Sequence, residues 1–127
     1  MASSYLLKVL IDFSAAHALR GYIGDCARLH GHNWKIEAEI KTNSVNSIGV
    51  AVDFKDIRKA MKEISDTLDH RYLNEIPPFD TINPTAENLA SWFYTQLAAV
   101  VNNKTQKLIA ISLWETERAS VRYSEDD

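Results

Sequence analysis

Cysteine is almost missing from this sequence: one residue, Cys26, among 127, with four histidines beside it. A lone cysteine closes no internal disulfide, which favours a reducing compartment and points to the cytoplasm. No apolar run approaches the length of a membrane-spanning helix, and the opening Met-Ala-Ser-Ser has neither the basic nor the apolar region of a signal peptide. A surplus of one charge is missing too. The 14 Lys and Arg against 17 Asp and Glu leave a formal charge of −3, spread without long like-charge runs. That balance argues against a nucleic-acid footprint or a membrane-surface helix and favours a soluble protein that handles small molecules. Without a Pro-, Gly- or Ser-rich linker or an internal repeat, the chain reads as one domain over residues 1–127. Its 46% apolar content is enough to bury a modest core.

The few soft ligands present are crowded together. His17, Cys26, His30 and His32 fall within sixteen residues, and a single glycine separates the last two. A strict polar/apolar alternation follows, in which Trp34, Ile36, Ala38 and Ile40 alternate with Lys35, Glu37, Glu39 and Lys41. On a strand, residues two apart share a face, so His30 and His32 can aim both imidazoles at one ion; on a helix they would diverge. The earlier segment from Tyr5 to about His17 alternates as well, through Leu7, Val9, Ile11 and Phe13. Pairing the two strands antiparallel with Phe13 facing Trp34 sets Ile11 against Ile36, Val9 against Ala38 and Leu7 against Ile40. The same register lays His17 opposite His30, unless a bulge slips it by one. A third imidazole thus reaches the pair, and the loop between the strands carries Cys26 back over it.

The middle of the chain turns helical. Asp53 is placed to cap a helix whose apolar stripe is Phe54, Ile57, Met61, Ile64 and Leu68. After a loop holding Pro77, Pro78 and Pro84, Thr85 caps a second helix with Leu89, Trp92, Phe93, Leu97 and Val100 or Val101 on its buried side. Strands over Lys107 to about Thr116 and about Ala119 to Tyr123 complete a ββααββ order. The expected class is α+β: a four-stranded antiparallel sheet with two helices on one face. The other face shows the row Lys35, Glu37, Glu39 and Lys41, suited to solvent or to a water-lined channel between subunits.

Three converging histidines favour zinc, and three neutral imidazoles leave a tetrahedral site one position short, the open arrangement of a catalytic centre. The competing reading makes Cys26 the fourth ligand of a closed structural site, and spacing alone leaves both open.

Several segments carry a resemblance. Phe13-Ser14-Ala15-Ala16-His17, Cys26 through Trp34, Val52-Asp53-Phe54, Leu68 through Asn74, Pro84 through Asn88 and Trp114-Glu115-Thr116 resemble, nearly end to end and in order, the signatures of the 6-pyruvoyl-tetrahydropterin synthase superfamily. The three-residue gap between Cys26 and His30 resembles its queuosine-pathway branch, the 6-carboxy-tetrahydropterin synthases. The resemblance implies the tunnelling fold, in which trimers close their sheets into a barrel and two trimers stack, with active sites at subunit borders.

It also implies roles. His17, His30 and His32 would hold Zn2+, and Cys26 would be a catalytic base rather than a ligand. Asp69 and His70 would form an acid/base relay, where the residues alone read as a helix end with His70 on its carbonyls. Glu115, otherwise a plain strand end, would accept the adjacent N–H and amino donors of a pterin ring, with Thr85 and Glu87 lining the pocket. Thr85 alone reads as a cap, and the family often has a hydroxyl where Ala86 stands. The implied activity is a zinc-dependent lyase that converts 7,8-dihydroneopterin triphosphate to 6-carboxy-5,6,7,8-tetrahydropterin, acetaldehyde and triphosphate. Arg20, Arg28, Lys35, Arg71 and Lys107 are the cations available to the triphosphate. The alternatives are a 6-pyruvoyl-tetrahydropterin synthase and a non-catalytic zinc-stabilised pterin-binding oligomer.

Overall fold

The computed structural model describes residues 3–125, so Met1-Ala2, on which part of the leader reading rests, lies outside the described residues. Strands β1 (Tyr5–His17) and β2 (His30–Thr42) pair antiparallel in the expected register, from Tyr5 opposite Thr42, through Phe13 opposite Trp34, to His17 opposite His30. Their inward residues Val9, Ile11, Phe13, Ala15, Trp34, Ile36, Ala38 and Ile40 are all buried. A slip of one residue would exchange this set for Lys8, Asp12, Lys35 and Glu37, and that penalty fixes the pairing.

Helix α1 (Phe54–Ser65) starts where the Asp53 carboxylate accepts the Lys55 N–H, satisfying one donor that the first turn leaves free. Ile57, Ala60 and Met61 face the core, whereas Phe54, expected on the same stripe, is 53% exposed. The helix stops at Ser65, and it is a run of turns that carries Leu68 into the core. Helix α2 (Ala86–Val101) is capped by the Thr85 hydroxyl, which accepts the Asn88 N–H. Leu89, Phe93, Leu97 and Val101 are buried and Val100 is exposed. α1 packs on β1, and both helices join the inward strand residues in one core cluster.

The α+β class holds, but the sheet has five strands where four were expected. The extra one, β3 (Arg71–Tyr72), pairs parallel with Ala15 and Ala16. Two residues carry no alternation, so no periodicity announces such a strand. With β4 (Gln106–Thr116) and β5 (Ala119–Ser124) the order is β3-β1-β2-β4-β5. Strand β4 is irregular near its start. A bulge places Leu108 opposite Ile40 and Ala110 opposite Glu39, leaving Ile109 as the extra residue. Leu108 therefore fills the core and Ile109 is only half-buried.

On the far face Glu39 is buried rather than solvated: Arg122 donates from Nε and Nη2 to its two oxygens at 2.8 and 3.2 Å. This guanidinium holds the Glu39 carboxyl below its ordinary range. β3 covers only the end of β1, so Tyr5 to Phe13 form an open edge, as does the outer side of β5, among the described residues. No helix among the described residues is long and apolar enough to cross a membrane.

Candidate metal centre and active site

Odd positions of β1 and even positions of β2 share the helix-facing side, and this delivers three imidazoles to one place. Ring centroids lie 4.4 Å apart for His17 and His30, 5.2 Å for His17 and His32, and 4.8 Å for His30 and His32. Trp34 meets His17 and His32 edge-on at 5.0 and 5.2 Å, and its indole N–H donates to Ala15 O.

Two ring orientations are set from behind. His17 Nδ1 donates to Pro84 O and His30 Nδ1 to Arg28 O, each at 2.7 Å. A carbonyl only accepts, so in the neutral rings both Nε2 atoms carry lone pairs. His17 Nε2 and His32 Nε2 are buried without a hydrogen-bond partner. Such orphaned atoms are costly unless something fills the space between them. Burial pushes the pKa of His17 and of His32 below 6.5; the Pro84 carbonyl partly offsets this at His17, and the Glu115 charge opposes it at both. Neutral imidazoles are the form that takes up a metal without first releasing a proton.

One ligand atom from each of His17, His30, His32 and Glu115 lies within 4.8 Å of the others, so this group can hold a metal ion. Glu115 Oε1 is 3.3 Å from His32 Nε2, out of line for a hydrogen bond. Strand alternation brings it there: Glu115 is two residues beyond the core-facing Leu113, which pairs with Ile36, so it shares the side of the sheet that carries His30 and His32. Cys26 lies outside the donor group. It sits half-buried in a single 3₁₀ turn, Asp25–Ala27, and its carbonyl accepts the Leu19 N–H at 2.9 Å, closing the loop. The fourth donor beside the imidazoles is thus a carboxylate that the sequence reading reserved for the pterin ring, and not the thiol.

Asp69 and His70 do not end a helix. Asp69 Oδ1 accepts the Ser14 N–H at 2.9 Å, and Oδ2 lies 3.0 Å from His70 Nδ1. The Ser14 amide first, and His70 next among the stabilising contacts, hold the Asp69 carboxyl below its ordinary range. His70 adopts a left-handed backbone, φ 58, and its side chain is 81% exposed. It borders an open groove of about 520 Å³ with Ser14, His32, Asn33, Arg71 and Tyr72; neither Cys26 nor Glu115 lines that groove. Thr85 caps α2, one residue after the carbonyl that holds His17, and Glu87 is exposed in the first turn.

The five cations fare differently. Arg20 donates to Ile82 O, Asn74 O and Phe79 O, so its guanidinium is committed within the chain. Lys107 lines a larger concavity of about 680 Å³ at the opposite end of β2, around Lys41 and Thr42. Lys35 points to the face away from the imidazoles, and Arg28 is exposed beside His30. Arg71 borders the His70 groove.

The chain matches the family described as 6-pyruvoyl tetrahydropterin synthase over residues 6–126. It is 29% identical over 139 residues to a 6-carboxy-5,6,7,8-tetrahydropterin synthase of Haemophilus influenzae, covering 90% of this chain and 94% of the relative. It is 34% identical over 104 residues to a dihydroneopterin monophosphate aldolase of Pyrococcus furiosus, covering 82% and 83%. The solved structure of Caenorhabditis elegans 6-pyruvoyl tetrahydropterin synthase superposes with a TM-score of 0.88 at 26% identity, covering 98% of this chain and 97% of that one.

Proposed function

The chain belongs to the 6-pyruvoyl tetrahydropterin synthase family and has its tunnelling-fold protomer, and from that premise we propose that it is a zinc-dependent 6-carboxy-5,6,7,8-tetrahydropterin synthase. Its substrate is 7,8-dihydroneopterin triphosphate, and its products are 6-carboxytetrahydropterin, acetaldehyde and triphosphate, in the cytoplasmic route to queuosine. The observation that carries the reading is the set of three imidazoles with converging Nε2 atoms, two of them buried and unpartnered. Within the family, the short gap between Cys26 and His30 favours the carboxy-forming branch.

Zinc fits this donor set, which is nitrogen-rich and supported behind two rings by carbonyls. His17, His30 and His32 would hold it, and the chemistry it supplies there is polarisation of substrate oxygens and acidification of neighbouring protons. Cys26, kept out of the donor group, removes a proton from a side-chain carbon. Asp69 fixes the His70 ring, which exchanges protons on the opposing side during tautomerisation and carbon-carbon cleavage. Glu115 anchors the pterin, with Thr85 and Glu87 at the pocket wall. The exposure of His70 and the open edges of β1 and β5 support a site completed by a second copy in a trimer or a dimer of trimers. Arg71, beside His70, is the cation best placed for the triphosphate.

Mass analysis of products tests the assignment. The expected outcome is 6-carboxytetrahydropterin with stoichiometric acetaldehyde. A pyruvoyl product that keeps all side-chain carbons, or cleavage of dihydroneopterin monophosphate with the triphosphate untouched, would replace it.

A further inference from the structure

His17 is the last residue of β1, so the sheet ladder holds nothing that follows it. Two carboxamides take over. Asn74 Oδ1 accepts the Ala18 N–H at 2.9 Å while its Nδ2 donates to Ala18 O at 2.8 Å. Asn83 does the same to Arg20, accepting its N–H and donating to its carbonyl, both at 2.8 Å. Each amide thus imitates a strand partner, satisfying both backbone groups of one residue; only a planar group carrying a donor beside an acceptor does this. Arg20 returns the connection, with guanidinium bonds to the carbonyls of Asn74, Phe79 and Ile82 at 3.3, 2.7 and 3.3 Å.

Ordinary loop packing would distribute such bonds along the segment. These instead bracket one contact. Ala18 is covalently next to His17 and Asn83 is next to Pro84, so each staple lies one residue from an end of the His17 Nδ1···O Pro84 bond. Asn88 Nδ2, donating to Asn83 O at 2.9 Å, extends the bracket into the first turn of α2. We propose that Asn74 and Asn83, assisted by Arg20, are positioning residues of the metal centre, holding the 74–84 strap so that Pro84 O fixes the ring orientation and tautomer of His17. This rests on the reading of His17 as a metal ligand.

The test uses the full chain and zinc itself. Asn74→Asp and Asn83→Asp keep the acceptor and turn the donor into an oxygen facing a carbonyl. Each should weaken zinc, measured against a competing chelator, by about 10- to 100-fold, the usual cost of losing support behind a ligand. Arg20→Lys keeps the charge and loses the fork, and should cost about tenfold, the low end of that range. In metal-free protein the His17 ring 15N signals should move from the Nδ1–H tautomer toward a mixture. Tyr94→Phe, which removes a buried bond to Leu108 O away from the site, controls for general destabilisation and should leave zinc affinity unchanged. Native protein that binds no zinc would overturn the metal reading and this inference together. Native zinc binding, with folded variants unmoved in affinity and tautomer, would overturn this inference alone; so would Tyr94→Phe losing as much zinc as they do.

Discussion

Glu115→Gln separates the two tasks open to that carboxylate. Glu115 Oε1 lies 3.3 Å from His32 Nε2 with 30% of the side chain exposed, so it belongs to the donor group and is still partly open to solvent. As a ring anchor it accepts two adjacent donors; a glutamine accepts one and sets an N–H against the other. A hydrogen bond to a charged group contributes about 1.5–3 kcal/mol, which is about 10- to 150-fold in Kd at 1.4 kcal/mol per decade. Partial exposure favours the lower part of that span, so a non-reacting pterin should bind about 10- to 50-fold more weakly by titration calorimetry. Zinc content should stay at about one per chain, because the three imidazoles suffice. Unchanged pterin affinity with a loss of zinc would refute the reasoning and make Glu115 a ligand.

Cys26→Ala should keep zinc and abolish turnover; loss of the metal in atomic absorption would show that the thiol had been a ligand. For His70→Ala we expect zinc and pterin binding to persist while kcat collapses and the pH profile loses one limb, whereas normal turnover would remove His70 from the chemistry. Glu39→Gln should cost about 1–2 kcal/mol at pH 7, the worth of a charge-assisted pair discounted because Arg122 is half-exposed. Its folded carboxyl titrates below 4.5, so the unfolded chain binds more protons on acidification. The contribution is therefore complete above that pH and shrinks as pH falls through the folded value; urea melts showing a gap that does not narrow below pH 4.5 would contradict the pair's role. Light scattering should find trimers or hexamers, and an active monomer at micromolar concentration would defeat the shared-site picture.

The β1–β2 register was legible because two long strands alternate strictly and a slip would bury Lys35 and Glu37. The same alternation placed His17 against His30, so the meeting of three imidazoles followed from local pattern alone. What escaped depends on interruptions of pattern. The bulge at Ile109 exchanges Leu108 into the core; an apolar run such as Leu108-Ile109-Ala110-Ile111 does not announce where its extra residue lies. β3 is too short to show a period. Arg20 looked like a free cation because nothing nearby in sequence reveals carbonyls 54 to 62 residues away. Glu39 read as one of a solvated row, since its partner Arg122 is 83 residues distant.

X-ray absorption at the zinc edge of the purified protein tests the central claim most directly, because it reports which atoms surround the metal. With His17, His30 and His32 as the protein ligands, the shell should fit three imidazole nitrogens plus oxygen at about 2.0–2.1 Å and no sulfur. A sulfur scatterer at about 2.3 Å would place Cys26 on the metal, close the site and contradict the account of a catalytic centre.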